Sequence, residues 1–191
     1  MAQTPSTMIE LGTKAPEFNL PDPDGRTFSR DEIAGSRGLL VMFICNHCPF
    51  VKHVGEELSR IGNEYPDKGI GIVAISSNDI NTHPDDAPPK MKEFAKQYGI
   101  TFPYLFDESQ EIAKSYSAAC TPDFFLFDAN LELVYRGQLD DSRPGNDQPV
   151  TGSDLRAAMD ALVEDKPVAT DQKPSIGCNI KWTPGNEPEY A

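Results

Sequence analysis

Two cysteines separated by two residues, Cys45-Asn46-His47-Cys48, are the side chains in this sequence best suited to chemistry. A C-x-x-C spacing points to a redox pair or to half of a metal site. Three readings stand side by side. In the first, one cysteine attacks a disulfide as a thiolate and the other resolves the mixed disulfide. In the second, the pair ligates a metal, with His47, His53 or Cys178 completing a tetrahedron. In the third, both are small buried core residues. Placement favours the first, because the pair falls where a helix begins. Free N–H groups and the helix dipole stabilise an anion there. A thiol so placed has its pKa lowered from about 8.5 into the range of roughly 3.5–7.5. The metal reading lacks a second ligand pair at zinc-finger spacing. A protonated His47 would stabilise a thiolate at Cys45 further; a solvent-facing His47 would do little. Cys120 reads as a packing residue or as a thiol near the pair. Cys178 reads as a structural residue or as a third redox cysteine. His53 is expected on an exposed helix face, and His83, in a polar loop, is given no role.

The elements that must hold the pair are legible on both sides of it. Leu39 to Ile44 is a continuous apolar run, as in a strand buried on both faces. Val51, Val54, Leu58, Ile61 and Tyr65 recur at steps of three and four, one face of an amphipathic helix. Pro49 suits its first turn. Gly69 to Ser76 is a second buried strand, and the long crossover makes a βαβ unit with parallel strands. Asn78 to Asp86 is a polar loop. Pro88 starts a helix that Gly99 ends, Phe102 to Phe106 is a short strand, and Ser109 to Tyr116 a short helix. Asp123–Phe127 and Leu131–Tyr135 flank a turn and read as a hairpin. Ser153 is placed to cap a last helix through Val163. Before the pair, Ile9 to Leu20 reads as an extended entry segment with an edge strand. A Pro-Asp-Pro-Asp-Gly turn and a short return strand at Arg26–Phe28 follow. One helical turn is expected at Asp31–Ala34.

Composition sets limits. The 191 residues suffice for one domain with a sizeable core. Seventeen basic against thirty acidic residues give a net charge of −13. That charge disfavours nucleic acid and anionic membranes as partners. No apolar run approaches the ~20 residues of a membrane span. The polar first ten residues carry no secretory pattern, so a cytoplasmic location is expected. Four cysteines in a chain of this length are too few for a disulfide scaffold.

The order strand, C-x-x-C, helix, strand, helix, then Thr121-Pro122 before a hairpin and a last helix resembles the thioredoxin fold. The entry segment "LGTKAPEFNLPDPDGRTFS" followed by "GLLVMF" is similar to the AhpC/TSA (peroxiredoxin-like) family. "MFICNHCPFVKH" with "PSIGCNIKW" resembles a subgroup of that family carrying C-x-x-C. The resemblance implies an α/β thioredoxin-like fold: a central mixed β-sheet flanked by helices, an N-terminal β extension and an extended C-terminal tail. It implies a flexible N-terminus at residues 1–7, a domain over 8–164, and a tail over 165–191 docked on it. Cys45 matches the attacking cysteine of thioredoxins and Cys48 the resolving one. Thr121 and cis Pro122 match the pair that faces the cysteines and the substrate chain. His47 and Cys178 stand as modulators. The implied activity is thiol–disulfide oxidoreduction without a bound cofactor or metal, on a protein or small-molecule disulfide or thiol, with a separate reductant. Aligned on peroxiredoxins instead, Cys48 matches the peroxidatic cysteine. However, Val41 and Cys45 stand where that motif has Pro and Thr or Ser, and no Arg lies near Pro122.

Overall fold

A computed structural model describes residues 3–191 of the protein. Met1 and Ala2, part of the terminus expected to be flexible, lie outside the described residues.

In chain order the elements are β1 (Gln3–Pro5), β2 (Asn19–Pro21), β3 (Thr27–Ser29), α1 (Arg30–Ile33), β4 (Gly38–Phe43) and α2 (Pro49–Glu64). Then come β5 (Ile70–Ser76), α3 (Pro88–Tyr98), β6 (Tyr104–Phe106), α4 (Glu111–Ser115) and β7 (Cys120–Thr121). The chain finishes with β8 (Asp123–Asp128), β9 (Leu133–Gly137), α5 (Ser153–Val163) and β10 (Ile176–Asn179).

The central sheet runs β6-β5-β4-β8-β9. β4, β5 and β6 are parallel, while β8 lies antiparallel to β4 and β9 antiparallel to β8. This is the expected mixed sheet. β4 is buried along its whole length because both its faces are covered. Its alternate side chains serve different cores. Leu40, Met42 and Ile44 pack with Val51, Leu58 and Ile61 of α2. Leu39, Val41 and Phe43 pack with Tyr116, Phe125 and Phe127 under the entry segment. Each such side chain contributes roughly 1.5–3 kcal/mol on burial, which fixes β4 and hence the turn that follows it. The period-three-to-four positions of α2 are all buried, Tyr65 included. α3 ends at Gly99, whose φ of 69° is the left-handed cap its sequence announced.

Two expectations differ. Gln3–Pro5, expected within a flexible terminus, form a strand paired antiparallel with Ile176–Cys178. The pairing is extended by Ser6 N–H donating to Ser175 O at 2.9 Å and by Ser175 N–H donating to Ser6 Oγ at 2.9 Å. The second difference is at α5, where Gly152, not Ser153, is the N-cap residue, and no side chain caps the helix. The approaching turn needs the positive φ of 67° at Gly152, and the N–H groups of Thr151 and Gly152 both donate to Asp140 Oδ2 at 2.7 Å. A carboxylate from the preceding loop thus does the work expected of a serine.

The chain after α5 is laid back across the molecule. β10 sits between β1 and β7 in a three-stranded sheet. Beyond it Lys181 O accepts from Asp79 N–H at 2.8 Å and from Gln110 Nε2 at 2.9 Å.

Candidate active site

β4 delivers Ile44 and the turn, and α2 begins immediately after. Cys48 is the N-cap residue of α2 and Pro49 its first residue. The Thr121–Pro122 peptide is cis, as the resemblance implies. Thr121 touches both sulfurs: its Oγ1 lies 3.4 Å from Cys45 Sγ, and its carbonyl oxygen lies 3.2 Å from Cys48 Sγ. The structure therefore brings together Cys45, Cys48, Thr121 and Pro122. It also brings in Cys178, whose Sγ is 2.9 Å from Cys48 Sγ. No disulfide joins these cysteines.

The two cysteines have different surroundings. Cys45 faces a polar cluster. His47 Nδ1 is 3.9 Å from Cys45 Sγ and donates to Asp86 Oδ2 at 2.6 Å. Asp86 is fully buried. Its Oδ1 accepts the backbone N–H groups of Asn46 at 2.8 Å and His47 at 3.2 Å, and its Oδ2 accepts Asn78 Nδ2 at 2.8 Å. Tyr104 O–H donates to Asn46 Oδ1 at 2.9 Å. His83 stacks on His47 with ring centroids 5.2 Å apart. This carboxylate organises the C-x-x-C turn, because it satisfies the two N–H groups between the cysteines that no strand or helix can use. Its hydrogen bond raises the His47 pKa. Burial pushes the Asp86 carboxyl up, but the bonds from His47 and Asn78 outweigh it and the net shift is downward.

Cys48 faces donors. The Cys45 thiol, the Cys178 thiol and the N–H of Val51 can all bond its sulfur, and together they outweigh burial and hold its pKa down to about 5. The opposite effect raises Cys45, since its proton is the one donated to Cys48, and burial and the nearby Asp86 charge add to the rise. Within the pair, the hydrogen bond from Cys45 favours the negative charge on Cys48. Cys178 is raised to about 12 by burial and by its contact with Cys48.

Of the proposed metal ligands, His53 instead pairs its Nε2 with Ser142 Oγ at 2.7 Å. Cys45, His47 and Asp86 offer ligand atoms within 4.8 Å of one another, a set the spacing of the cysteines did not suggest. Within this set His47 Nδ1 and Asp86 Oδ2 already bond each other at 2.6 Å. Sequence reading missed Asp86, Asn78, Tyr104 and His83. The one available signal was the clustering of acidic residues at Asp85-Asp86, and that signal also fits a solvated loop. Cys120 is buried with its Sγ 3.5 Å from Pro122 O, and burial drives its pKa far up, as suits a packing residue.

A mixed sheet of this order, with a cis proline facing a cysteine pair on a helix N-terminus, is the thioredoxin-like fold. The thioredoxin domain of a thiol-disulfide oxidoreductase from Bacteroides vulgatus superposes with a TM-score of 0.57 at 21 % identity, over 67 % of this chain and 88 % of that one. The chain belongs to the AhpC/TSA family, whose sequence profile matches residues 11–136. The thiol-disulfide oxidoreductase ResA of Bacillus thuringiensis is 26 % identical over 131 residues, 69 % of this chain and 71 % of that protein. The crystal structure of an uncharacterized conserved protein from Geobacillus kaustophilus is 54 % identical, with a TM-score of 0.94, over 97 % of this chain and 98 % of that one. Among the described residues no helix is long and apolar enough to cross a membrane.

Proposed function

We propose that this protein is a thiol–disulfide oxidoreductase whose exchanging pair is Cys45 and Cys48. One observation carries the reading: both sulfurs lie at the start of α2, and both are in contact with the residue preceding cis Pro122. The likeness to ResA supports it. Cys45 is the entering sulfur, and His47 beside it, with its side chain 21 % exposed, marks the way in. The Cys48 thiolate takes the Cys45 proton as Cys45 attacks the substrate disulfide. One substrate sulfur becomes bonded to Cys45, and the other leaves and collects that proton from Cys48. Cys48, again a thiolate, then attacks Cys45 Sγ and expels the second substrate sulfur. The substrate is reduced by two electrons and the pair is oxidised to a disulfide; no bound cofactor or metal is needed. A thiol reductant returns the pair to its starting state. The backbone at Thr121 offers the surface for a protein or small-molecule disulfide, and the tail over 165–191 forms one wall of the site.

A second reading has a specific observation behind it. A cysteine with its pKa near 5 on a helix N-terminus is suited to peroxide as well, becoming a sulfenic acid that a neighbouring thiol condenses with. Among the described residues no arginine hydrogen-bonds either sulfur. That feature weighs for disulfide exchange. Assays of insulin-disulfide reduction and peroxide consumption on the parent, Cys45→Ser and Cys48→Ser decide between the two. Disulfide reduction lost in both variants supports the exchange reading. Peroxide turnover that survives Cys45→Ser and is lost in Cys48→Ser replaces it with the peroxidase. Stoichiometric metal in a protein inert in both assays overturns both.

A further inference from the structure

One sulfur beside the pair takes no part in the exchange just described. Cys178 is placed by β10, in register opposite Thr121. The approach of this strand is close because residue 177 is glycine: a Cβ there would lie 2.0 Å from Thr121 O. Ser175 Oγ donates to Pro122 O at 2.7 Å, so β10 is pinned to the cis-proline loop itself. The result is a 2.9 Å separation between Cys48 Sγ and Cys178 Sγ. A disulfide needs about 2.05 Å, so bond formation asks for a movement of about 1 Å. Cys178 and Cys45 are each 1 % exposed and Cys48 is fully enclosed. Exchange between sulfurs already in contact needs no outside approach, and Cys48 is in contact with Cys178.

We propose that Cys178 is a third redox thiol, which takes over the oxidised state of the pair by forming a disulfide with Cys48. This rests on the reading of Cys45 and Cys48 as the exchanging pair. The Cys178 sulfur attacks Cys48 Sγ of the Cys45–Cys48 disulfide. The Cys45–Cys48 bond breaks, the Cys48–Cys178 bond forms, and the Cys178 proton passes to the departing Cys45 sulfur. No electrons are gained or lost in this step, because the substrate disulfide has already supplied the oxidising equivalent. The outcome is a thiol restored at Cys45, beside His47, and a disulfide that ties β10 to the start of α2. Re-reduction runs backward: Cys45 attacks Cys48, and the external reductant then meets the disulfide at Cys45. Cys120 is given no part in this relay: its Sγ packs 3.5 Å from Pro122 O.

The test equilibrates the full chain in glutathione redox buffer, quenches in acid, alkylates and maps disulfides by peptide mass spectrometry. The parent should yield both Cys45–Cys48 and Cys48–Cys178. Cys178→Ser should lose the second species and keep the first. Cys45→Ser should oxidise to Cys48–Cys178, with Cys45→Ala replacing it if circular dichroism finds the serine variant unfolded. A folded Cys45 variant whose Cys48 and Cys178 remain fully alkylated, or whose Cys48 pairs with Cys120, overturns the inference. Absence of Cys45–Cys48 in both the parent and Cys178→Ser would instead overturn the pair reading, and the Cys45 variant would still report on Cys178.

Discussion

Cys45 and Cys48 stand three residues apart yet answer to two different regions of the molecule. On the Cys45 side a buried carboxylate, two imidazoles and a set of amides form a polar cluster that orders the turn. On the Cys48 side a helix terminus and a strand from the chain's far end supply hydrogen-bond donors. The difference teaches that hydrogen bonding to the sulfurs decides where an anion is favoured. The bond from Cys45 to Cys48 and burial oppose an anion at Cys45, with the Asp86 charge adding to them, and the donors around Cys48 favour one there. Such a pair titrates as a unit, with one proton shared between its two sulfurs.

The comparison breaks most completely if the sulfur that holds the charge is removed. Cys48→Ser should cut insulin-disulfide turnover by more than about 10³-fold and accumulate a mixed disulfide on Cys45, visible by mass spectrometry. Retained turnover would refute the division of labour. Next comes the polar side. Asp86→Ala removes a buried charge with four partners and should cost about 3–5 kcal/mol in denaturant unfolding. In Asp86→Asn the His47 pKa, followed by NMR, should fall toward its ordinary value. The sign fixes where the pair helps. His47 is raised in the fold, so its contribution is fully present below its unfolded pKa and fades as pH rises through the folded value. Asp86 is lowered, so its contribution is present above its unfolded pKa and fades as pH falls through the folded value. The destabilisation by Asp86→Ala should therefore be largest near pH 5–6, between the two ordinary values of about 3.9 and 6.5, and a flat pH profile would contradict the ion pair.

The tail side is sharpened by Gly177→Ala. Its new methyl meets Thr121 O, so β10 must shift, at a cost of about 1–3 kcal/mol and with loss of the Cys48–Cys178 disulfide in oxidised samples. Unchanged stability would mean that the strand sits more loosely than described. The smallest effect concerns charge alone. Thiolate absorbance near 240 nm should titrate with a midpoint of about 5 in the parent. In Cys45→Ala the midpoint should move up by about one unit, the worth of a hydrogen bond to an anion of ~1.4 kcal/mol. A downward move would place the charge on the wrong sulfur.

What could be read beforehand followed from local pattern. The run Leu39–Ile44 declares a strand covered on both faces, and Val51 to Tyr65 declares the face that α2 buries, so the turn between them was fixed before any contact was known. The residues around that turn were not legible to the same degree. Asp86 reaches it from forty positions downstream, out of a polar loop where acidic residues ordinarily meet water. Gln3–Pro5 carries no strand pattern, and its pairing is made by β10 rather than by its own side chains. Cys178 was legible as a candidate but not as a neighbour, because strand register across 130 residues is a property of the assembled sheet. At α5 the sequence offered Ser153 as a cap, and the fold used the backbone freedom of Gly152 with Asp140.

The strand that walls the pair is synthesised long after the pair itself. Cys48 and Cys178 are 130 residues apart, an interval of roughly 6–26 s at translation rates of about 5–20 residues/s. Throughout that time a nascent chain carries its cysteine pair with one side uncovered. Chains stalled on the ribosome before Ile176 should therefore be alkylated at Cys48 faster than released protein, and equal rates would mean that other parts of the chain already shelter it.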